Sequence, residues 1–260
     1  MSKIQAWSWS RLDDFEKCPL SYYKKYVLKE FPKFDATPYH LTRGKVIHKV
    51  CEGYLKTGNL GLLKPETNKW LIYSGPDVGY QGKSMLKHPL DFIVPLMDIM
   101  RKHTSLDVEG EVAFDADLNK VSWFDSENKH CGKVWVRVIW DALCVSINGT
   151  LIIIDWKTGK IRTKGDQLRL FAGAGMAMHP EVERVLTAYI WLDHPTARPL
   201  LGEYTREYDF ENIWQEFGDR AELIQLCVES GNWEAKPCSF NCTYCPALTT
   251  QCVHKKDYER

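Results

Sequence analysis

Between residues 41 and 56 apolar side chains recur at helical spacing: Val46, Ile47, Val50, Cys51, Tyr54 and Leu55 share one stripe. Gly58 stands where such a helix would stop. Upstream, Ser10-Arg11-Leu12-Asp13 has the form of a capping box. The helix it opens is expected to run to about Cys18, because Pro19 disfavours helical geometry in the residue before it. A turn rich in Tyr and Lys follows (Tyr22, Tyr23, Lys24, Lys25, Tyr26). Residues 59–89, punctuated by Gly61, Pro65, Gly75, Pro76, Gly79, Gly82 and Pro89, read as a variable excursion over the surface. A helix is expected near 90–103. Strand patterns then dominate at 111–118, 133–147, 151–156, 185–192 and 203–208. Helices at 166–178 and 210–229 interrupt them, the second with Ile213, Trp214, Phe217, Ala221, Ile224 and Leu226 on its apolar side. This order implies an α/β (α+β) class. No internal repeat or low-complexity tract interrupts it.

Composition narrows the classes. A chain of 260 residues with 44% hydrophobic and 26% charged residues can bury a sizeable core, which excludes wholesale disorder, collagen and coiled coil. No apolar run reaches the roughly 18–20 residues of a membrane span, and the N-terminus carries no apolar signal-peptide core. Lys plus Arg equals Asp plus Glu at 34 each, so an anionic ligand must be met by a local patch rather than by bulk charge. Nine cysteines, an odd number with no secretion signal, argue for a reducing, cytoplasmic compartment where clustered thiols hold metal more often than they form disulfides.

The most informative segment is Ile152-Ile153-Ile154-Asp155-Trp156-Lys157-Thr158-Gly159. In a strand Asp155 and Lys157 project to one face and Trp156 to the other. A carboxylate can hold a divalent metal, and a lysine two residues on can position a water or steady a developing phosphate charge. A strand that merely ends in charged residues is the plainer alternative. Val138-Ile139-Trp140-Asp141 brings a second carboxylate on the preceding strand, and here register decides. A two-residue Asn148-Gly149 loop would put Asp141 on the face of Trp156. A three-residue loop, Ile147-Asn148-Gly149 with Gly149 left-handed, places Asp141 opposite Asp155. Metal binding therefore predicts the bulged turn. On the early helix Gly44, His48 and Glu52 share a stripe, with His48 a further ligand candidate or a plain core histidine. Gln167 and Phe171 are spaced i, i+4 on the helix that follows.

In this order Gly44-x-x-x-His48, the isolated Asp141, Asp155-x-Lys157-Thr158-Gly159 and Gln167-Leu168-x-x-Phe171-Ala172 resemble a RecB-type nuclease of the PD-(D/E)XK superfamily. The resemblance runs from Ser8 to Cys252 and leaves out residues 59–89. It implies a mixed sheet flanked by helices and metal-dependent hydrolysis of DNA. His48, Asp141, Asp155 and the Trp156 backbone carbonyl would bind Mg²⁺ or Mn²⁺. Lys157 would help activate water, and Gln167 would support Lys157 or the substrate. Hard oxygen donors suit those ions. Val138 stands where many relatives carry glycine, and Glu111 resembles a strand glutamate some of them carry.

Cys238-x3-Cys242-x2-Cys245-x6-Cys252 is too dense to be incidental, and four local thiolates could make a zinc site. Cys18, in Ser10-x-Leu12-x-x-Phe15-x-x-Cys18-Pro19, resembles the N-terminal cysteine motif of the iron–sulfur branch of the same nucleases, which includes the AddB nuclease domain and the iron–sulfur nucleases of CRISPR adaptation. By that resemblance Cys18, Cys242, Cys245 and Cys252 hold a [4Fe–4S] cluster that staples the two ends of the chain, with Cys238 a spare or an alternative ligand. Cys51, Cys131, Cys144 and Cys227 read as core residues. The stretch from Cys238 to Cys245 also fits the radical S-adenosylmethionine signature, but only fifteen residues follow Cys245, too few for the barrel that signature opens.

Local cations set the expected partner. Arg43, Lys45, Lys160, Arg162, Lys164 and Arg169 surround the site residues in sequence and are candidate phosphate contacts. Tyr22, Tyr23 and Tyr26 could stack bases or pack in the core. The expectation is a single nuclease domain over 1–260. Its cluster-binding segments are 8–30 and 231–255, its variable insertion 59–89 and its catalytic core 105–208. Its substrate would be DNA ends or single strands in recombination, repair or replication, in a prokaryotic cell or a phage-infected host. Any helicase or recombinase partner would be a separate chain, self-association stays open, and no membrane is involved. The alternative is a nuclease-fold DNA-binding adaptor without catalysis.

Overall fold

The computed structural model describes residues 6–31, 39–64, 86–124, 134–247 and 252–258. Its helices are α1 (Trp9–Lys17), α2 (Pro19–Tyr22), α3 (Tyr39–Thr57), α4 (Val94–Arg101), α5 (Asp166–Met178), α6 (Arg206–Ser230) and α7 (Ser239–Tyr244). The strands are β1 (Asp107–Phe114), β2 (Lys120–Val121), β3 (Val136–Val145), β4 (Thr150–Lys157), β5 (Arg184–Trp191) and β6 (Leu200–Thr205). They form one mixed six-stranded sheet in the order β2-β1-β3-β4-β5-β6, with β4 and β5 parallel and the β3–β4 and β5–β6 pairs antiparallel. The α/β class expected from the pattern is the one found. Of the 59–89 excursion, residues 65–85 lie outside the described residues, as do Cys131 and Lys133.

The chain divides into two compact units. One contains residues 36–112 and 138–213. In it, alternation along β4 separates two faces. Ile154 and Trp156 join Ala142, Cys144, Ala188 and Ile190 in a core with Ile47, Val50, Cys51 and Tyr54 of α3 and Met97 and Met100 of α4. Leu151 and Ile153 face α5, where Gly175 allows close approach: a Cβ there would lie 2.5 Å from Leu151 Cδ2 and 2.9 Å from Ile153 Cδ1. Asp155 and Lys157 have the same parity as these two residues, so the strand that fills the core also carries the charged pair.

The β3–β4 connection is the three-residue loop. Ser146 and Thr150 close it (Ser146 N–H to Thr150 carbonyl, 2.8 Å), Gly149 donates to the Ser146 carbonyl at 2.9 Å, and Gly149 is left-handed with φ +73°. The resulting register pairs Val145 with Leu151 and Ala142 with Ile154, which carried one step further sets Asp141 opposite Asp155. Beyond Ala142 the Trp156 N–H donates instead to Asp141 Oδ2 at 2.6 Å, so this carboxylate sits at the point where the ladder ends.

The other unit contains residues 1–35, 113–137 and 214–260. Trp7 pairs in parallel with Val136 and stacks on Phe217 (6.0 Å) with Trp135 edge-on at 5.2 Å. Tyr22 and Tyr23 stack on Trp233, and Tyr22 also meets Tyr26 at 4.9 Å, so these tyrosines pack together rather than standing free for bases.

Several boundaries differ from the sequence reading, each for a local reason. Ser10 does not cap α1; Ser8 occupies that position without a side-chain hydrogen bond, and Asp13 inside the helix pairs with Lys17. Pro19 ends α1 and also opens α2, which runs into a wide helical turn over Tyr23–Val27. β1 lies earlier than expected because Asp115 Oδ1 accepts the N–H groups of Asp117 and Asn119 (3.0 and 2.8 Å), turning the chain there. β6 ends at Thr205, whose N–H is taken by Asp209 Oδ2 at 2.7 Å as α6 begins.

Candidate active site

Three donors converge within the unit built on α3, β1 and β3. Ligand atoms of His48, Glu109 and Asp141 all lie within 4.8 Å of one another. Asp141 uses both oxygens: Oδ1 is 3.0 Å from His48 Nδ1 and Oδ2 accepts the Trp156 N–H. Asp155 stands outside this trio and is buried, its Oδ2 2.5 Å from Lys157 Nζ as an ion pair. Lys157 Nζ also donates to Gln167 Oε1 at 3.0 Å and lies 4.7 Å from the centre of the Tyr189 ring. Tyr189 OH donates to the same Gln167 oxygen at 3.2 Å.

The charges in this cluster oppose one another. Burial, and then the Asp141 charge, hold Glu109 above the usual carboxylate range. Burial raises Asp155 strongly; Lys157 lowers it in part and the charge of Asp141 raises it further. Burial works to lower His48, but its hydrogen bond to Asp141 and the surrounding carboxylates outweigh burial, and the net shift is upward. Carboxylates pressed together with raised affinity for protons have a matching affinity for a cation, since either relieves the same repulsion. One imidazole and two carboxylates within reach of a single ion, with a further buried carboxylate beside them, fit a divalent metal of the Mg²⁺ or Mn²⁺ kind.

The sequence profile of the PD-(D/E)XK nuclease superfamily matches residues 6–250. The chain belongs to this superfamily. No curated protein sequence matches it. Among solved structures it is similar to a candidate exonuclease from Eubacterium rectale, at 16% identity over 98% of this chain and 88% of that one, with a TM-score of 0.49. It is also similar to the crystal structure of SSO0001, at 16% identity over 91% of this chain and 95% of that one, with a TM-score of 0.34.

Two residues of this candidate site were not singled out in the sequence. Glu109, rather than Glu111, reaches the trio; Glu111 is exposed. In a flat strand the two would share a face, but Glu109 is left-handed with φ +54° and kinks β1. Gly110 makes the kink feasible, because Asp107 and Trp140 pack against its Cα. An acid beside a glycine in a strand is the bulge signal that could have found it. Tyr189 was read as part of an apolar strand, yet the parallel register sets it directly beside Asp155.

The expected phosphate contacts divide. Lys45, Lys160, Arg162 and Lys164 are exposed, whereas Arg169 is half-buried on α5. Arg43 corrects the expectation: it is 7% exposed, and its guanidinium pairs with both oxygens of Asp193, so burial removes it from any surface contact. Gly44 faces Thr158, where a Cβ would stand 3.5 Å from Oγ1, an ordinary contact. Glu52 pairs with Lys49 and Lys56 and is not one of the trio.

In the other unit, Cys18, Cys242, Cys245 and Cys252 line one cavity of about 240 Å³ together with Ser21 and Tyr22. The Tyr22 hydroxyl is buried there without a hydrogen-bond partner. Ser21 Oγ lies 3.6 Å from Cys245 Sγ, and the Lys236 N–H points at Cys18 Sγ at 3.5 Å. Lys255 Nζ ties down the Cys242–Cys245 segment through the carbonyls of Cys242 (2.6 Å) and Cys245 (2.9 Å). Cys238 is exposed, does not line the cavity, and accepts the Asn241 N–H at the start of α7. Cys51 and Cys144 are buried and Cys227 is half-buried.

Proposed function

We propose that the chain is a metal-dependent DNA nuclease of the RecB type, acting on ends or single strands. The observation that carries this reading is the convergence of His48, Glu109 and Asp141 beside the Asp155–Lys157–Gln167 group. His48, Glu109, Asp141 and Asp155 would hold Mg²⁺ or Mn²⁺, with the Trp156 carbonyl as a further donor. When bound, the ion supplies Lewis acidity, lowering the pKa of water and neutralising charge on the phosphate and the leaving oxygen. Lys157 is oriented from three sides, by Asp155, by Gln167 and by the Tyr189 ring, so that its ammonium can donate to the phosphate oxygen on which charge grows. Gln167 spends its oxygen on Lys157 and Tyr189 and therefore positions rather than reacts. Lys45, Lys160, Arg162 and Lys164 would steer the DNA backbone.

The four cavity cysteines would hold the [4Fe–4S] cluster. The shared cavity, which Cys238 does not line, and the resemblance of the Cys18 segment to the iron–sulfur branch support this set of four.

The test uses protein purified without oxygen, assayed with Mg²⁺ or Mn²⁺ on end-labelled linear DNA and on closed circles. Stepwise loss of label from linear DNA, abolished in Asp155→Asn and Lys157→Ala, is expected. DNA that is bound but never cut would mark an adaptor instead, and equal attack on closed circles would overturn end dependence. Four iron atoms per chain with visible absorption, lost in Cys242→Ala but kept in Cys238→Ala, are expected; zinc in their place would overturn the cluster assignment.

A further inference from the structure

The residue after Thr158 is gripped in a way the nuclease chemistry does not require. Asp193, two residues past the end of β5, has a side chain only 2% exposed, yet it is a charged group. Its Oδ2 accepts from Arg43 Nη1 at 2.8 Å and from the Gly159 N–H at 2.8 Å, while Oδ1 pairs with Arg43 Nη2. Lys87 Nζ adds a further cation 3.4 Å from Oδ2. The next residue, His194, places Nε2 2.8 Å from the Gly159 carbonyl. Both peptide groups of Gly159 are thus held by adjacent side chains, at a residue whose φ of +85° favours glycine. From this fixed point the chain runs through Lys160, Ile161, Arg162, Thr163 and Lys164, all exposed.

A buried ion pair is a poor source of stability, because desolvation offsets most of its attraction. What this one does is fix geometry. It ties α3, which carries His48, to the loop that leaves the Lys157 strand. We propose that Asp193, with Arg43 and His194, is a positioning device that preorganises the 160–164 loop as the phosphate-binding arm of the active site. This rests on the nuclease reading above. A free loop would lose backbone entropy for every residue ordered on DNA. An arm already anchored at its root has met part of that cost during folding, so its cations bind phosphate more tightly.

The test compares Asp193→Asn, His194→Ala and the triple variant Lys160→Ala/Arg162→Ala/Lys164→Ala, singly and combined. Asp193→Asn is expected to raise the KM for DNA about tenfold and His194→Ala about threefold, with kcat within about threefold of wild type, as loss of preorganised phosphate contacts should. The triple variant should flatten the salt dependence of binding by about 2–3 in log–log slope. On the triple background neither clamp substitution should change KM more than about twofold, because the device acts through those cations. Independently of DNA, the Gly159 amide should exchange slowly in wild type and much faster in Asp193→Asn. If Asp193→Asn does not fold, His194→Ala carries the same comparison. Full additivity of clamp and loop substitutions in an active enzyme, or rapid Gly159 exchange in wild type, would overturn the proposal. A wild type that neither binds nor cuts DNA overturns the nuclease reading and the arm with it, and Gly159 exchange would still report whether the grip exists.

Discussion

Gly110 offers the sharpest test of how β1 delivers Glu109. A Cβ at this position would lie 1.9 Å from Asp107 Oδ2, 2.7 Å from Asp107 Cγ and 2.4 Å from Trp140 Nε1. Those atoms cannot simply swing aside, since Trp140 is buried and its indole N–H donates to Asp107 Oδ2 at 3.0 Å. Rotating Asp107 away would strand that N–H at a cost of about 1–3 kcal/mol. Keeping the bond would push the strand backbone outward, an overpacking cost of about 1–3 kcal/mol. By either route Gly110→Ala should lower stability by about 1–3 kcal/mol, or roughly 3–9 °C in Tm for a chain of this size. The second route also re-aims Glu109 and weakens the metal site. Thermal melts with and without Mn²⁺ separate the two effects. An ion at a hundred times its Kd stabilises by about 2.7 kcal/mol, and the variant should lose a large part of that increment. A Gly110→Ala protein that melts with wild type and responds equally to Mn²⁺ would show that the crowding over Gly110 is not real.

Related substitutions carry further expectations. Glu109→Gln should reduce cleavage at least about a hundredfold (roughly 3 kcal/mol of barrier), whereas Glu111→Gln, at an exposed position, should leave it within about twofold; equal effects on rate would refute the assignment of Glu109. Glu109→Gly removes both a left-handed non-glycine backbone and a crowded carboxylate, so metal-free protein should melt at or above wild type while losing its response to Mn²⁺; a clear drop in the metal-free melt would refute this. Tyr189→Phe keeps the ring beside Lys157 and deletes one donor to Gln167, costing a few-fold in kcat, whereas Tyr189→Leu should cost about tenfold more; indistinguishable rates would remove the ring from the account. The folded state holds protons on Asp155, Glu109 and His48 more tightly than an unfolded chain does. Their contribution is therefore present below the ordinary pKa values and lost as pH rises through the raised ones. Metal-free denaturation midpoints should fall between about pH 5 and 8, and saturating Mn²⁺ should remove that slope; a metal-free midpoint that rises over this range would contradict the electrostatic reading.

Much of the site could be read along the chain because it depends on local rules. Asn148-Gly149 marked the turn but left two registers open, and only metal binding favoured the three-residue loop; that loop is the one that forms, setting Asp141 opposite Asp155. Helical spacing put His48 on a face shared with Gly44, and the family resemblance pointed Gln167 toward Lys157 or the substrate; in the fold Gln167 Oε1 accepts from Lys157 Nζ. The errors arose where one backbone angle or one distant partner intervened. Glu111 resembled the strand glutamate of some relatives, but the positive φ of Glu109 turns that acid to the trio instead. Arg43 looked like a surface cation until Asp193, 150 residues away, took its guanidinium.

The sequence alone therefore determined most of the elements and the class, since alternation, helical period and turn chemistry act over a few residues. Only the tertiary structure decided that Glu109 completes the donor trio, that Tyr189 flanks Lys157, and that Asp193 grips Gly159. Each of these joins positions far apart along the chain, and which of them meet follows from how the faces of α3, β1, β4 and β5 pack, a result no local periodicity encodes.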